Sequence, residues 1–159
     1  MSSELQSTIA ANELATLLIP MRNKQLVLPN VSVAEIIPFV RPAEDEGQQV
    51  RPEWFLGHFT WRNTQVPVVS FEGLNGEAID TLNSSKRIAV LNGLVDDRLP
   101  FCAIVAEGMP RLMRVMPNEV SNDDSAMIGP AELATVLVSG EEAVIPNVDF
   151  IQQQILQYL

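Results

Sequence analysis

The fourteen residues from His58 to Phe71 leave the chain little choice but to turn back on itself. Phe59 and Trp61 stand two apart, so in a strand both rings point to one face. A second arm follows, an apolar, β-branched run from Val66 interrupted by Pro67. Arg62, Asn63 and Thr64 form the polar tip between the arms. Asparagine tolerates the left-handed backbone of tight turns, which makes Asn63 the turn residue. Arg62 then projects from the end of a rigid hairpin. A planar cation held in that way is suited to docking on another protein.

The same logic extends along the chain. Eleven prolines and eight glycines divide the apolar residues into short runs, which suits many short strands joined by turns better than long helices. The 159 residues, 47% of them hydrophobic, are enough for one compact domain or two small fused lobes with a sizeable core. The net charge of −10 and the pI near 4.4 oppose binding to phosphate backbones or anionic lipid. No apolar run approaches the roughly 20 residues of a membrane span, and no basic and then apolar leader opens the sequence. A single cysteine, Cys102, excludes an internal disulfide framework. These features point to the cytoplasm.

Residues 1–13 are polar and alanine-rich, and either form a short helix over Ser3–Leu14 or fray. Ala15–Met21 and Gln25–Leu28 read as a first hairpin around the turn from Arg22 to Lys24. Val31–Val40 is extended. The charged stretch within Arg41–Pro52 is the segment best suited to a mobile loop. Pro52–Gly57 resembles one helical turn, opened by proline and closed by glycine. Gly73–Ser85 is a linker of turn chemistry. Arg87–Leu91 and Phe101–Ala106 read as buried strands joined by a loop from Asn92 to Arg98. Leu112–Met116, Thr135–Val138 and Ala143–Ile145 are further strands, and Asn118–Pro130 is loop-like. The best helix closes the chain. Asn147 caps it, Asp149 complements its dipole, and Val148, Ile151, Ile155 and Leu159 form one apolar stripe. The total is nine or ten strands.

Catalytic chemistry finds little support. His58, the one histidine, reads as a strand-start residue with a satisfied hydrogen bond rather than a base or metal ligand. Cys102 sits in an apolar strand and reads as an inert core residue. Asp96-Asp97 and Asp123-Asp124 read as solvated loop charges rather than cation sites. Trp54 and Trp61 read as core. No phosphate-binding, nucleophile-elbow or zinc-protease motif is present.

The order and spacing of these segments resemble the CheW-like coupling domain of bacterial chemosensory systems, from about Ala15 to Leu159. Residues Leu17–Pro20, Leu26–Pro29 and Val33–Ile36 resemble the family's opening hairpin and its "V-x-E-I" strand. Pro52–Gly57 with Thr60–Asn63 resembles its "P-x-x-x-x-G-x-x-x-x-R-G" stretch. Gln65–Phe71 resembles its "P-V-I-D-L" strand, and Arg87–Leu91 with Phe101–Val105 resembles the paired strands of its second lobe. Three positions depart from the pattern. Asn63 stands for the turn glycine, Ser70 for the aspartate, and Ala106-Glu107 follows Val105 where the family has "V-D". The chain is thus similar to a divergent member, of the ChpC type of auxiliary coupling protein in systems that control type IV pili and twitching motility.

The resemblance implies a mainly β fold of two five-stranded SH3-like β-barrels packed together, within a single domain. Residues 1–14 would be an extension, the second lobe would begin near residues 73–87, and 147–159 would be the C-terminal helix. It implies no catalysis and no cofactor, and as partners a methyl-accepting chemoreceptor and a CheA-type histidine kinase. The family's functional arginine falls on Arg62 and its turn glycine on Asn63. The partner surface is therefore expected at Trp61, Arg62 and Asn63, with Val33 and Ile36 as apolar contacts. A competing expectation is a sensory module holding a small ligand in the cleft between the two lobes.

Overall fold

The computed structural model describes residues 13–44 and 50–159. The helix expected over Ser3–Leu14 lies outside these residues except for its last two positions, and Leu14 already opens the first strand. Residues 45–49 of the expected mobile loop also lie outside them.

Two antiparallel-rich sheets make the molecule. The chain runs β1 (Leu14–Pro20), β2 (Gln25–Pro29), β3 (Val33–Pro38), β4 (Phe55–Trp61), β5 (Thr64–Val69), α1 (Phe71–Leu74), β6 (Arg87–Asn92) and β7 (Phe101–Ala106). It continues through β8 (Arg111–Val115), β9 (Val120–Asn122), β10 (Glu132–Val138), β11 (Glu141–Pro146) and α2 (Val148–Leu156). One sheet has six strands in the order β8-β1-β2-β11-β10-β9, the other five in the order β3-β6-β7-β5-β4.

Each sheet is buried on both faces, which explains why its central strands read as unbroken apolar runs. In β6, Ile88 and Val90 face a core internal to the five-stranded sheet, shared with Phe59, Trp61, Val66, Val68, Ala103 and Val105. Ala89 and Leu91 point the other way, into a core between the two sheets. Likewise Leu18 faces the interior of the six-stranded sheet with Val27, Val115, Val136 and Val138, while its neighbour Ile19 faces the shared core. Helix α2 adds Ile151 and Ile155 to that shared core.

The mainly β, two-lobed reading agrees with this architecture, and the details correct it in five places. The six-stranded sheet gains β9, three residues paired with β10 inside the stretch read as loop. The second lobe does not begin at residues 73–87. β6 pairs with β3 and β7 with β5, so both return to the five-stranded sheet. The six-stranded sheet takes its strands from the two ends of the chain instead. Pro52–Gly57 is a reverse turn, closed by the Phe55 N–H on the Pro52 carbonyl at 3.0 Å, and it enters β4 directly. Gly57 serves the strand there. Its φ is +135°, and a Cβ would collide with the Ala43 carbonyl of a segment that bridges to His58. Ser70 ends its strand by capping α1, its hydroxyl accepting from the Gly73 N–H at 3.1 Å. Finally, Leu159 lies beyond the end of α2 and is half exposed, so the stripe stops at Ile155.

Candidate functional site

The hairpin at the centre of the sequence reading is β4–β5. Its turn has two residues, because Trp61 pairs directly with Thr64. Thr64 is thus a strand residue and not part of the tip. Arg62 and Asn63 both have left-handed backbones, with φ of 48° and 62°. Two consecutive positive φ values define the turn whose twist matches that of the flanking strands. For asparagine this conformation is easily reached. For arginine it carries strain on the order of 1 kcal/mol, which the packed arms of the hairpin must hold.

What surrounds Arg62 follows from the shape of the sheet. β3 and β4 are its two edges, yet side chains from both pack into one internal core. At this seam the buried Trp61 donates its indole Nε1–H to Glu35 Oε1 at 2.6 Å. The other carboxylate oxygen, Oε2, lies 3.7 Å from the Arg62 guanidinium. The guanidinium carbon sits 4.7 Å from the centre of the Trp61 ring, a cation–π distance. The Trp61 ring in turn meets Phe101 of β7 edge-on, with centroids 4.8 Å apart. Arg62 is therefore two-thirds exposed but oriented by a buried indole and a fixed carboxylate. Such an ordered cation loses less rotamer freedom on docking than a free one.

Of the expected surface residues, Trp61, Arg62 and Asn63 are brought together. Val33 and Ile36 are not part of the same face. They are half buried on the side of β3 that packs on the shared core. Glu35 is the site residue that sequence reasoning passed over. No local pattern could have found it, because Glu35 lies on one edge strand and its partners on the other.

Cys102 is fully buried, and burial pushes its thiol up to about 12, against a weak contact from Gln152. His58 stands inside β4 rather than at its start, half buried, with its ring 5.4 Å from that of Phe55. Asp96 accepts from the Arg98 guanidinium at 3.0 and 3.1 Å, and Asp123 accepts from the Ser125 hydroxyl at 2.6 Å. Among the described residues no group of three or more histidine, cysteine or acidic side chains is placed to hold a metal. No helix among the described residues is long and apolar enough to cross a membrane. The space between the sheets, where a ligand cleft was the competing expectation, is filled by Phe55, Phe71, Leu91, Leu99, Ile104 and their neighbours.

The fold is a two-sheet scaffold that presents an oriented cation on a strained turn. The chain belongs to the CheW-like domain family, whose model matches residues 15–155. That family consists of non-enzymatic scaffolds of chemosensory signal transduction. No curated protein matches the chain. Among solved structures it is similar to the scaffolding protein TtCheW from Thermoanaerobacter tengcongensis. The two are 13% identical, the match covers 84% of this chain and 88% of that one, and the TM-score is 0.68.

Proposed function

We propose that this chain is a cytoplasmic adaptor that couples a methyl-accepting chemoreceptor to a CheA-type histidine kinase, in a chemosensory system that controls type IV pili and twitching motility. The observation that carries the reading is the oriented Arg62. A left-handed arginine is a costly way to build a turn where glycine or asparagine would suffice, and its guanidinium is held outward by Glu35 and Trp61. The partner surface is the turn of Arg62 and Asn63, with the buried Trp61 as its support, while Val33 and Ile36 support β3 from behind.

The narrower assignment to the auxiliary, ChpC type rests on the three departures from the family pattern, each of which does structural work. Asn63 keeps the left-handed turn. Ser70 caps α1. Glu107 accepts from the buried Lys86 at 2.6 Å, beside Asp80 at 3.0 Å. Burial works against the Lys86 ammonium, but these two carboxylates outweigh it and raise its affinity for the proton.

The test is titration of the purified chain against a soluble signalling fragment of the receptor and against the kinase. Arg62→Glu is expected to weaken at least one of the two complexes by tenfold or more, about 1.4 kcal/mol. Unchanged affinity for both would remove Arg62 from the interface. Failure of the wild-type chain to bind either would end the coupling reading.

A further inference from the structure

The β6–β7 loop, residues 93–100, lies at the same end of the five-stranded sheet as the Arg62 turn. Phe101, which follows it, touches Trp61. Asn92, which precedes it, donates to the carbonyl of Val31 at 2.9 Å, tying in the turn that leads into β3. Three turns thus share one end of the sheet.

The loop is exposed, yet it is built like a core segment. Gln152 of α2 has no exposed surface and uses both ends of its amide on the loop's base. Its nitrogen donates to the Asn92 carbonyl at 3.0 Å and its oxygen accepts from the Leu94 N–H at 2.8 Å. The Gly93 N–H reaches the Pro100 carbonyl at 2.7 Å, and a Cβ on Gly93 would collide with the carbonyl of Leu99. Leu99 is buried as an anchor. Asp96 accepts from both the backbone and the guanidinium of Arg98. The result is a rigid projection whose most exposed apolar side chain is Leu94, 71% exposed, with Val31 beside this end of the sheet at 82%. A depression of about 460 Å³ lies in the loop and is lined in part by Leu94, Asp96 and Asp97. Arg98 is engaged by Asp96, so Asp97 carries the loop's uncompensated charge.

We infer that this loop is a second contact element for the partner that docks on Arg62, which rests on the coupling reading above. The partner surface it fits is an apolar stripe flanked by a lysine or arginine. The stripe would cover Leu94 and Val31, and the basic side chain would enter the depression towards Asp97. Three things favour that occupant: continuity with the Arg62 surface, the negative charge of the loop, and the prior ordering of an exposed leucine, which lowers the entropy cost of docking.

The experiment measures the affinity of the purified full chain for the receptor signalling fragment and for the kinase, across wild type, Arg62→Glu, Leu94→Asp and Asp97→Lys, with thermal melting as the control for folding. Leu94 and Asp97 lie on the surface of the loop, so their variants are expected to melt as the wild type does. The inference expects Leu94→Asp to lose about tenfold or more for the partner that Arg62→Glu also loses, and Asp97→Lys to lose several-fold for that partner. If Leu94→Asp binds as the wild type while Arg62→Glu does not, the loop is no contact and the inference is overturned, with the coupling reading intact. If Leu94→Asp weakens the complex but Asp97→Lys does not, the basic flank of the partner is overturned. If the wild type binds neither protein, the coupling reading fails and takes the inference with it.

Discussion

Arg62 separates two quantities that usually move together. Its backbone is strained and its side chain is exposed. Arg62→Gly removes both the strain and the cation, and glycine reaches positive φ freely. The variant is expected to melt at or above the wild-type temperature while its partner affinity falls. Calorimetry together with titration checks this, and a drop in both would mean that the contacts to Glu35 and Trp61 outweigh the strain. Cys102 offers a simpler check. With its thiol pushed up to about 12 and no solvent access, it is expected to resist alkylation at pH 8 in the native protein and to react once the chain unfolds. Its inertness was legible in the sequence because apolar neighbours on both sides announce a buried strand. The role of Glu35 was not, because its partners Trp61 and Arg62 become neighbours only when the two edges of the sheet meet.

At the scale of elements, local chemistry read well and pairing did not. Asn147 was legible as a cap, and its side chain accepts from the Phe150 N–H at 2.9 Å. Asn147→Ala is expected to cost about 1 kcal/mol, measurable by denaturant unfolding. The hairpins around Arg62 and around Arg22–Lys24 announced themselves by polar turn residues between apolar arms. β9 escaped because its three residues are exposed and gain their structure from β10 alone. The turn at Pro52 was misread because proline and glycine also flank short helices. What demands Gly57 is the distant Ala43 backbone, which no local pattern reveals. The lobe boundary failed for a related reason: nothing in residues 87–106 states that β6 and β7 insert between β3 and β5.

For the molecule as a whole, a buried polar cluster ties the sheets together. Glu132, at the start of β10, is almost fully buried. It accepts from Lys24 at 2.7 Å, from Asn75 at 3.2 Å and from the Gly129 N–H at 2.8 Å. Lys24 precedes β2 in the six-stranded sheet, whereas Asn75 follows α1 and so comes from the five-stranded side. Burial alone would raise the Glu132 carboxyl, but these donors outweigh it and hold it below the ordinary 4.5. A carboxylate held low in the folded state contributes stability above about 4.5 and loses it as the pH falls through its folded value. Glu132→Gln is expected to destabilise the protein at pH 7 and to flatten its loss of stability below pH 4.5. Unfolding curves from pH 3 to 7 check both arms.

The placement of the two chain ends has a consequence for how the protein is made. The five-stranded sheet is one continuous excursion, from β3 to β7, and is complete as soon as those residues have emerged. The six-stranded sheet must wait, because β2 finds its neighbour β11 only when the last strand arrives. Until β10 and β11 emerge, β1 and β2 therefore have only each other and β8 as partners, and Leu18 and Val27 stand without the cover of Val136 and Val138, a form that is marginal in water and prone to stick to other chains. The end of the molecule that carries Arg62 would be finished first, and the interior of the six-stranded sheet would be the last apolar surface to close.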